Sequence, residues 1–159
     1  MIKNTLTKIT TLLAIFGILV FSACEDSEAE ATPESANISG IITFEGDWPA
    51  EGLVFISLNA QWPPTSSGPP YSVTSLTESV DSYDYEFEDV AFGEYGAITV
   101  SWKDPNNENP ATNQHVIGAY GGSIQAGFMD ATKMTLSQDN YELEEANFVA
   151  NFRYITPSE

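Results

Sequence analysis

Hydrophobic and polar positions alternate along most of this chain. In "NISGIITFEGDWP", Ile38, Gly40, Ile42 and Phe44 share one side of a period-two pattern that turns at Gly46-Asp47. "GLVFISLNA" places Val54, Ile56 and Leu58 together, and "PPYSVTSL" offers Tyr71 and Val73. "SYDYEFEDV" sets Tyr83, Tyr85 and Phe87 against Asp84, Glu86 and Glu88. "YGAITVSW" groups Ile98, Val100 and Trp102, "KMTLSQ" is short, and "NFVANFRYI" groups Phe148, Ala150, Phe152 and Tyr154. Period-two runs bounded by Gly, Pro and Asn clusters are strand signals. The pattern predicts seven strands, folded as an antiparallel β-sandwich. Only "DNYELEEANF" has helical character, a single turn capped by Asp139.

The N-terminus breaks the alternation. Residues 1–8 are polar and carry Lys3 and Lys8, "ITTLLAIFGILVF" is largely apolar, and Ser22, Ala23 and Cys24 follow. A positive start, a short apolar stretch and small residues describe a signal-peptide helix. The stretch falls short of the about 20 apolar residues of a membrane span. Cys24 is the only cysteine. "FSAC" resembles a bacterial lipobox, with Phe21 where the usual residue is Leu. That resemblance implies lipidation of Cys24, cleavage before it and acylation of the new N-terminus. Several acyl chains hold durably, each buried CH₂ contributing about 0.8 kcal/mol. Residues 1–23 are then signal peptide. Residues 24–37, with Glu25, Asp26, Glu28, Glu30 and Glu34 and no large apolar side chain, are a flexible acidic tether. Residues 38–159 are the sandwich domain. Acidic residues directly after such a cysteine also resemble a surface-display signal of some Gram-negative phyla.

One stretch narrows the sandwich type. Phe87, Val90, Gly93 and Tyr95 form F-x-x-V-x-x-G-x-Y in "YEFEDVAFGEY". This resembles the carboxypeptidase regulatory-like domain, one of the transthyretin-like (prealbumin-like) sandwiches, where a strand ends, a glycine turn follows and an aromatic begins the next strand. "ISGIITFEGDWPAEGLVFISL" is similar to that family's opening, with Leu53 and Val54 where it has Ala and Val. The resemblance covers roughly residues 38–103 and implies an all-β, immunoglobulin-like/prealbumin-like sandwich. It also implies buried Phe87, Val90 and Tyr95, and a positive φ at Gly93. "ESVDSYDYEF" lacks the glycine the family has before this strand, and "QWPPTSSGPP" is an insertion relative to it.

Charge narrows the partners. Removing residues 1–23 from the 159 leaves 136, with three basic residues, Lys103, Lys133 and Arg153, against 23 acidic ones, a formal charge of −20. Such a surface repels nucleic acid and anionic headgroups. The only histidine, His115, has no G-x-S-x-G element near it and too few companions for a zinc centre. Asp84, Glu86 and Glu88 read as a solvated strand face rather than glycosidase acids. The long segment "WKDPNNENPATNQHVIGAYGG" is predicted to be a loop packed over one end of the sandwich, ordered by Asn and Pro turns. Within it Asp104, Asn106 and Glu108 have the spacing of an oxygen-rich calcium loop, although Asn109 stands where such loops have glycine. His115 reads as a structural histidine bonding a loop carbonyl. Trp62, His115 and Tyr120 mark the candidate ligand surface, whereas Trp102 reads as core. These readings describe a membrane-anchored cell-envelope protein, at the outer membrane and facing either the periplasm or the surface. It is expected to be non-catalytic, to need no cofactor other than calcium if that loop is loaded, and to bind a protein or glycan partner. The alternative is a calcium-dependent or carbohydrate-binding module of a surface nutrient-uptake complex.

Overall fold

The computed structural model describes residues 32–64 and 69–155. The predicted signal peptide, Cys24 and the tether as far as Ala31 lie outside the described residues. Ten strands follow in chain order: β1 (Ala36–Glu45), β2 (Leu53–Asn59), β3 (Ser72–Leu76), β4 (Ser82–Val90), β5 (Gly93–Tyr95), β6 (Ala97–Lys103), β7 (Gln114–Ala119), β8 (Met134–Leu136), β9 (Glu142–Leu143) and β10 (Phe148–Asn151). The only helical pieces among the described residues are 3₁₀ turns at Ile124–Ala126 and Phe152–Tyr154. The described residues are all-β, as their alternation predicts.

β1 organises the first sheet. Ala36, Ile38, Ile42 and Phe44 point inward and are buried, while Ile41, Thr43 and Glu45 face out. β4 pairs antiparallel along one side, Ile38 opposite Phe87 and Ile42 opposite Tyr83. On the other side β9 and β10 both run parallel to β1, so this sheet is mixed rather than purely antiparallel. Ala36 and Asn37, assigned to the tether by composition, belong to β1, and the Asn37 N–H donates to the Tyr141 carbonyl at 2.7 Å.

The second sheet is antiparallel in the order β3-β2-β6-β7, and β5 with β8 forms a small third sheet. The two larger sheets share one sandwich-like core. Ile38, Ile42, Tyr85 and Phe87 of the first meet Val54, Ile56, Leu58, Ile98, Val100 and Ile117 of the second. Val90, Tyr95, Met134 and Leu136 join the core from the end where β1 begins. At the other end Trp48 packs on Phe44 and Phe152, with ring centroids 5.0 and 4.6 Å away.

β6 is buried on both faces. Ile98 and Val100 enter the core, while the outer side meets a second apolar cluster of Ala97, Ala119, Phe128 and Ala131, flanked by Trp62 and Val116.

Two local expectations are corrected. "DNYELEEANF" holds no helical turn. Ser137 and Asn140 close a tight turn, and Glu142 and Leu143 pair with β1 as β9. Ladder bonds to a central strand outweigh what one capped turn offers, because isolated helical turns are costly to nucleate. The segment after Trp102 is not one long loop either, since β7 occupies Gln114–Ala119. Gly118 lets β7 lie against β10, where a Cβ would come within 2.6 Å of the Val149 carbonyl oxygen.

Phe87, Val90 and Tyr95 are buried as the resemblance implies. Gly93 has a φ of 158°, beside the extended region, and a Cβ there would meet nothing. The left-handed residue nearby is Asp89, with φ 52°, within β4 where its pairing with β1 shifts register.

Truncating Phe87→Ala should cost about 3–5 kcal/mol by denaturant unfolding, as large-to-small core changes do. An unchanged midpoint would contradict the packing described. Alkali should weaken the fold as well. Burial raises the Tyr85 hydroxyl's pKa, and desolvation, with a lesser effect of the neighbouring Tyr71, pushes Tyr95 up to about 12 from 10.0. The folded state therefore favours the neutral phenols. The stability they contribute is complete below pH 10 and falls as pH rises from there through about 12. Thermal melts across that range should show a decline that Tyr85→Phe makes shallower.

Candidate binding cleft

Two concave surfaces stand out. The first is a cleft of about 340 Å³ at the end of the sandwich where β1 finishes, lined by Trp48, Pro49, Glu51, Gly52, Leu76 and Trp102, with Thr77 and Ser79 beside them. Alternation brings Trp102 there: as the inward residue after Ile98 and Val100 it reaches the end of β6, opposite Val54 and His115. Its indole N–H donates to the Glu51 carbonyl at 3.0 Å. Gly52, with φ 101°, passes beneath the ring where a Cβ would collide with it. The Trp48 indole N–H donates to the Val80 carbonyl at 3.1 Å, tying the turn after β1 to the connection between β3 and β4. Both N–H groups are engaged within the fold.

The second is a shallow groove of about 520 Å³ on the outer face of the first sheet, lined by Asp84, Glu86, Glu144, Glu145 and Asn147 above Gly40. Its carboxylates are exposed, as expected of a solvated strand face.

The predicted ligand surface does not assemble. Trp62 lies on the outer side of the second sheet, donating to the Phe128 carbonyl at 2.7 Å and packing beside Ala97 and Ala119. Tyr120 packs against the main core near Tyr85. His115 sits at the opposite end of β7, its ring 5.6 Å from Trp102. Tyr120 follows the end of β7, five positions along the chain from His115, roughly 16 Å of extended backbone. The expected bond to a loop carbonyl is missing at His115 Nε2, which is buried with no hydrogen-bond partner. β7 holds the residue in the ladder opposite Trp102.

Asp104, Asn106 and Glu108 follow β6. Asp104 is buried, and its Oδ1 accepts the Asn106 N–H at 2.8 Å. Asn107 accepts from the Asn109 N–H and Asn109 from the Ala111 N–H, so consecutive side chains hold the turn. The Asp104 N–H closes the loop on the Asn113 carbonyl at 2.8 Å. Among the described residues no group of three His, Cys, Asp or Glu side chains is placed to hold a metal ion. The loop is ordered by its own side chains, in keeping with its Asn and Pro content.

Sequence reasoning missed Trp48 as a cleft residue. "GDWP" reads as turn chemistry, and nothing local says that its indole folds back on Phe44 and Phe152.

Comparison with known proteins found no matching family model, and neither the curated proteins nor the solved structures gave a significant match.

Asp104→Ala should lower stability by about 1–2 kcal/mol through loss of the bond to Asn106, equally with and without millimolar calcium. A calcium-induced rise in the melting temperature of the parent, lost in this variant, would instead restore the metal reading.

Proposed function

We propose that this chain is a lipid-anchored protein of the cell envelope. Its domain, a sandwich of the carboxypeptidase regulatory-like, prealbumin-like kind, has a non-catalytic binding role. The observation that carries the anchor is the lone Cys24, directly after "FSA" at the end of a short apolar run and before an acidic tether. The placement of Phe87, Val90 and Tyr95 in one core supports the sandwich type. The acidic surface directs partners away from nucleic acid.

The two-tryptophan cleft favours one ligand class within that role. Indole faces beside the hydroxyls of Thr77 and Ser79 suit the apolar face and rim hydroxyls of a sugar ring. The carbohydrate reading thus moves from Trp62 and Tyr120 to Trp48 and Trp102.

Two experiments separate anchor from ligand. Cys24→Ser should abolish incorporation of a palmitate analogue and leave the signal peptide uncut, because no other thiol can substitute. Label retained in the variant would overturn the anchor. Titrating a panel of soluble oligosaccharides should perturb tryptophan emission at millimolar or lower concentration and lose that response in Trp48→Phe. A flat response across the panel would remove the sugar reading and leave the anchor standing.

A further inference from the structure

No charged residue occurs between Glu51 and Glu78, in a chain with 23 acidic side chains. That window holds β2, the connection after it and β3. A second such window, between Glu108 and Asp130, holds β7. The two differ in what covers them. The backbone of β7 lies against β10 at Gly118. β3 ends the second sheet beyond β2, and among the described residues no backbone hydrogen bond from outside the sheet reaches Ser72–Leu76. Val73 is 51% exposed on the outer side, opposite Ser57 and diagonal to half-buried Phe55.

The edge of the first sheet shows the contrast. β4 pairs only with β1, and Asp84, Glu86 and Glu88 line its exposed side. Charges on an edge strand block pairing with another chain. β4 carries that protection and β3 has none, although "SVTSL" is rich in β-branched residues.

We propose that β3 is a pairing edge for a second copy of this chain, forming an antiparallel, two-fold ladder centred on Thr74. The charge distribution selects the occupant. Two copies repel wherever their carboxylates meet, and the β3 edge lets them approach with no carboxylate in the ladder. A two-fold interface must be self-complementary. Centring on Thr74 sets Thr74 against itself, Val73 against Ser75 and Ser72 against Leu76, all uncharged. Glu78 then falls beside Pro70 of the second copy rather than beside another acid. The second sheets of the two copies become one continuous sheet. The inference does not rest on the lipid anchor or on a sugar ligand, although Leu76 belongs both to the ladder and to the cleft lining.

The test uses the full chain with Cys24 replaced by serine, in nonionic detergent. Sedimentation velocity at rising protein concentration should show a monomer–dimer equilibrium that tightens as salt is raised, because screening weakens repulsion between copies. Val73→Glu, at an exposed position, should keep its circular dichroism spectrum and weaken dimerisation at least about tenfold. Thr74→Cys should form an intermolecular disulfide on mild oxidation, since directly opposed residues of an antiparallel pair have Cα atoms about 4.5–5.5 Å apart, within disulfide reach. A chain that stays monomeric at every concentration and salt overturns the proposal. So does a dimer that Val73→Glu leaves intact, or one in which Thr74→Cys fails to cross-link.

Discussion

Ala146 occupies the space where a side chain at position 40 would be. A Cβ on Gly40 would lie 2.5 Å from the Ala146 carbonyl oxygen. That oxygen accepts the Tyr85 hydroxyl at 2.6 Å, and Tyr85 stands opposite Gly40 across the ladder. The Ala146 N–H donates to Ser39, and Asn147 Oδ1 takes the Ile41 N–H at 2.7 Å. Here the chain leaves β1 after β9 and rejoins it as β10, and these bonds bridge the detour. Unpaired buried backbone groups are costly, so such a break is tolerable only where it is completed this way. The position of β1 between β4 and the two parallel segments depends on it, and so does the buried face that Ile38 and Ile42 present to the second sheet.

Much of this was legible in the alternation. Strands whose buried partners recur every second residue, such as β1 and β4, announce themselves because one face must be apolar. The two-faced burial of β6 was not legible, since Thr99 and Ser101 look like ordinary solvent-facing residues. Both are buried all the same, on the side of β6 where Ala97 meets Phe128. β7 hid in an Asn-rich context, where Val116 and Ile117 make too short an apolar run to outweigh the turn residues around them. β9 is two residues long and exists because β1 offers it a ladder.

The functional surface was less legible, for a related reason. A ligand cleft is made by residues that topology gathers, and sequence distance says little about that. Trp48 and Trp102 line one cleft, where Gly52 lets the chain pass under one indole and the Val80 carbonyl receives the other. Trp62, His115 and Tyr120 are near one another in composition and role but were sent to three different places. The Asn-rich loop was the reverse case. Its chemistry is local, each side chain bonding backbone two residues ahead, so its order could be read from its residues.

The double-sided covering of β6 has a dynamic consequence. Strand amides open to exchange with solvent when a neighbouring layer peels away, and most sandwich strands have one wet face from which that can begin. β6 has neither a free edge, lying between β2 and β7, nor a wet face along Ala97–Ser101. Its amide hydrogens can be reached only when both sheets and the Phe128 cap come apart. Local breathing at the Asn-rich loop or the β3 edge would leave it untouched, and β6 would be the last strand to exchange.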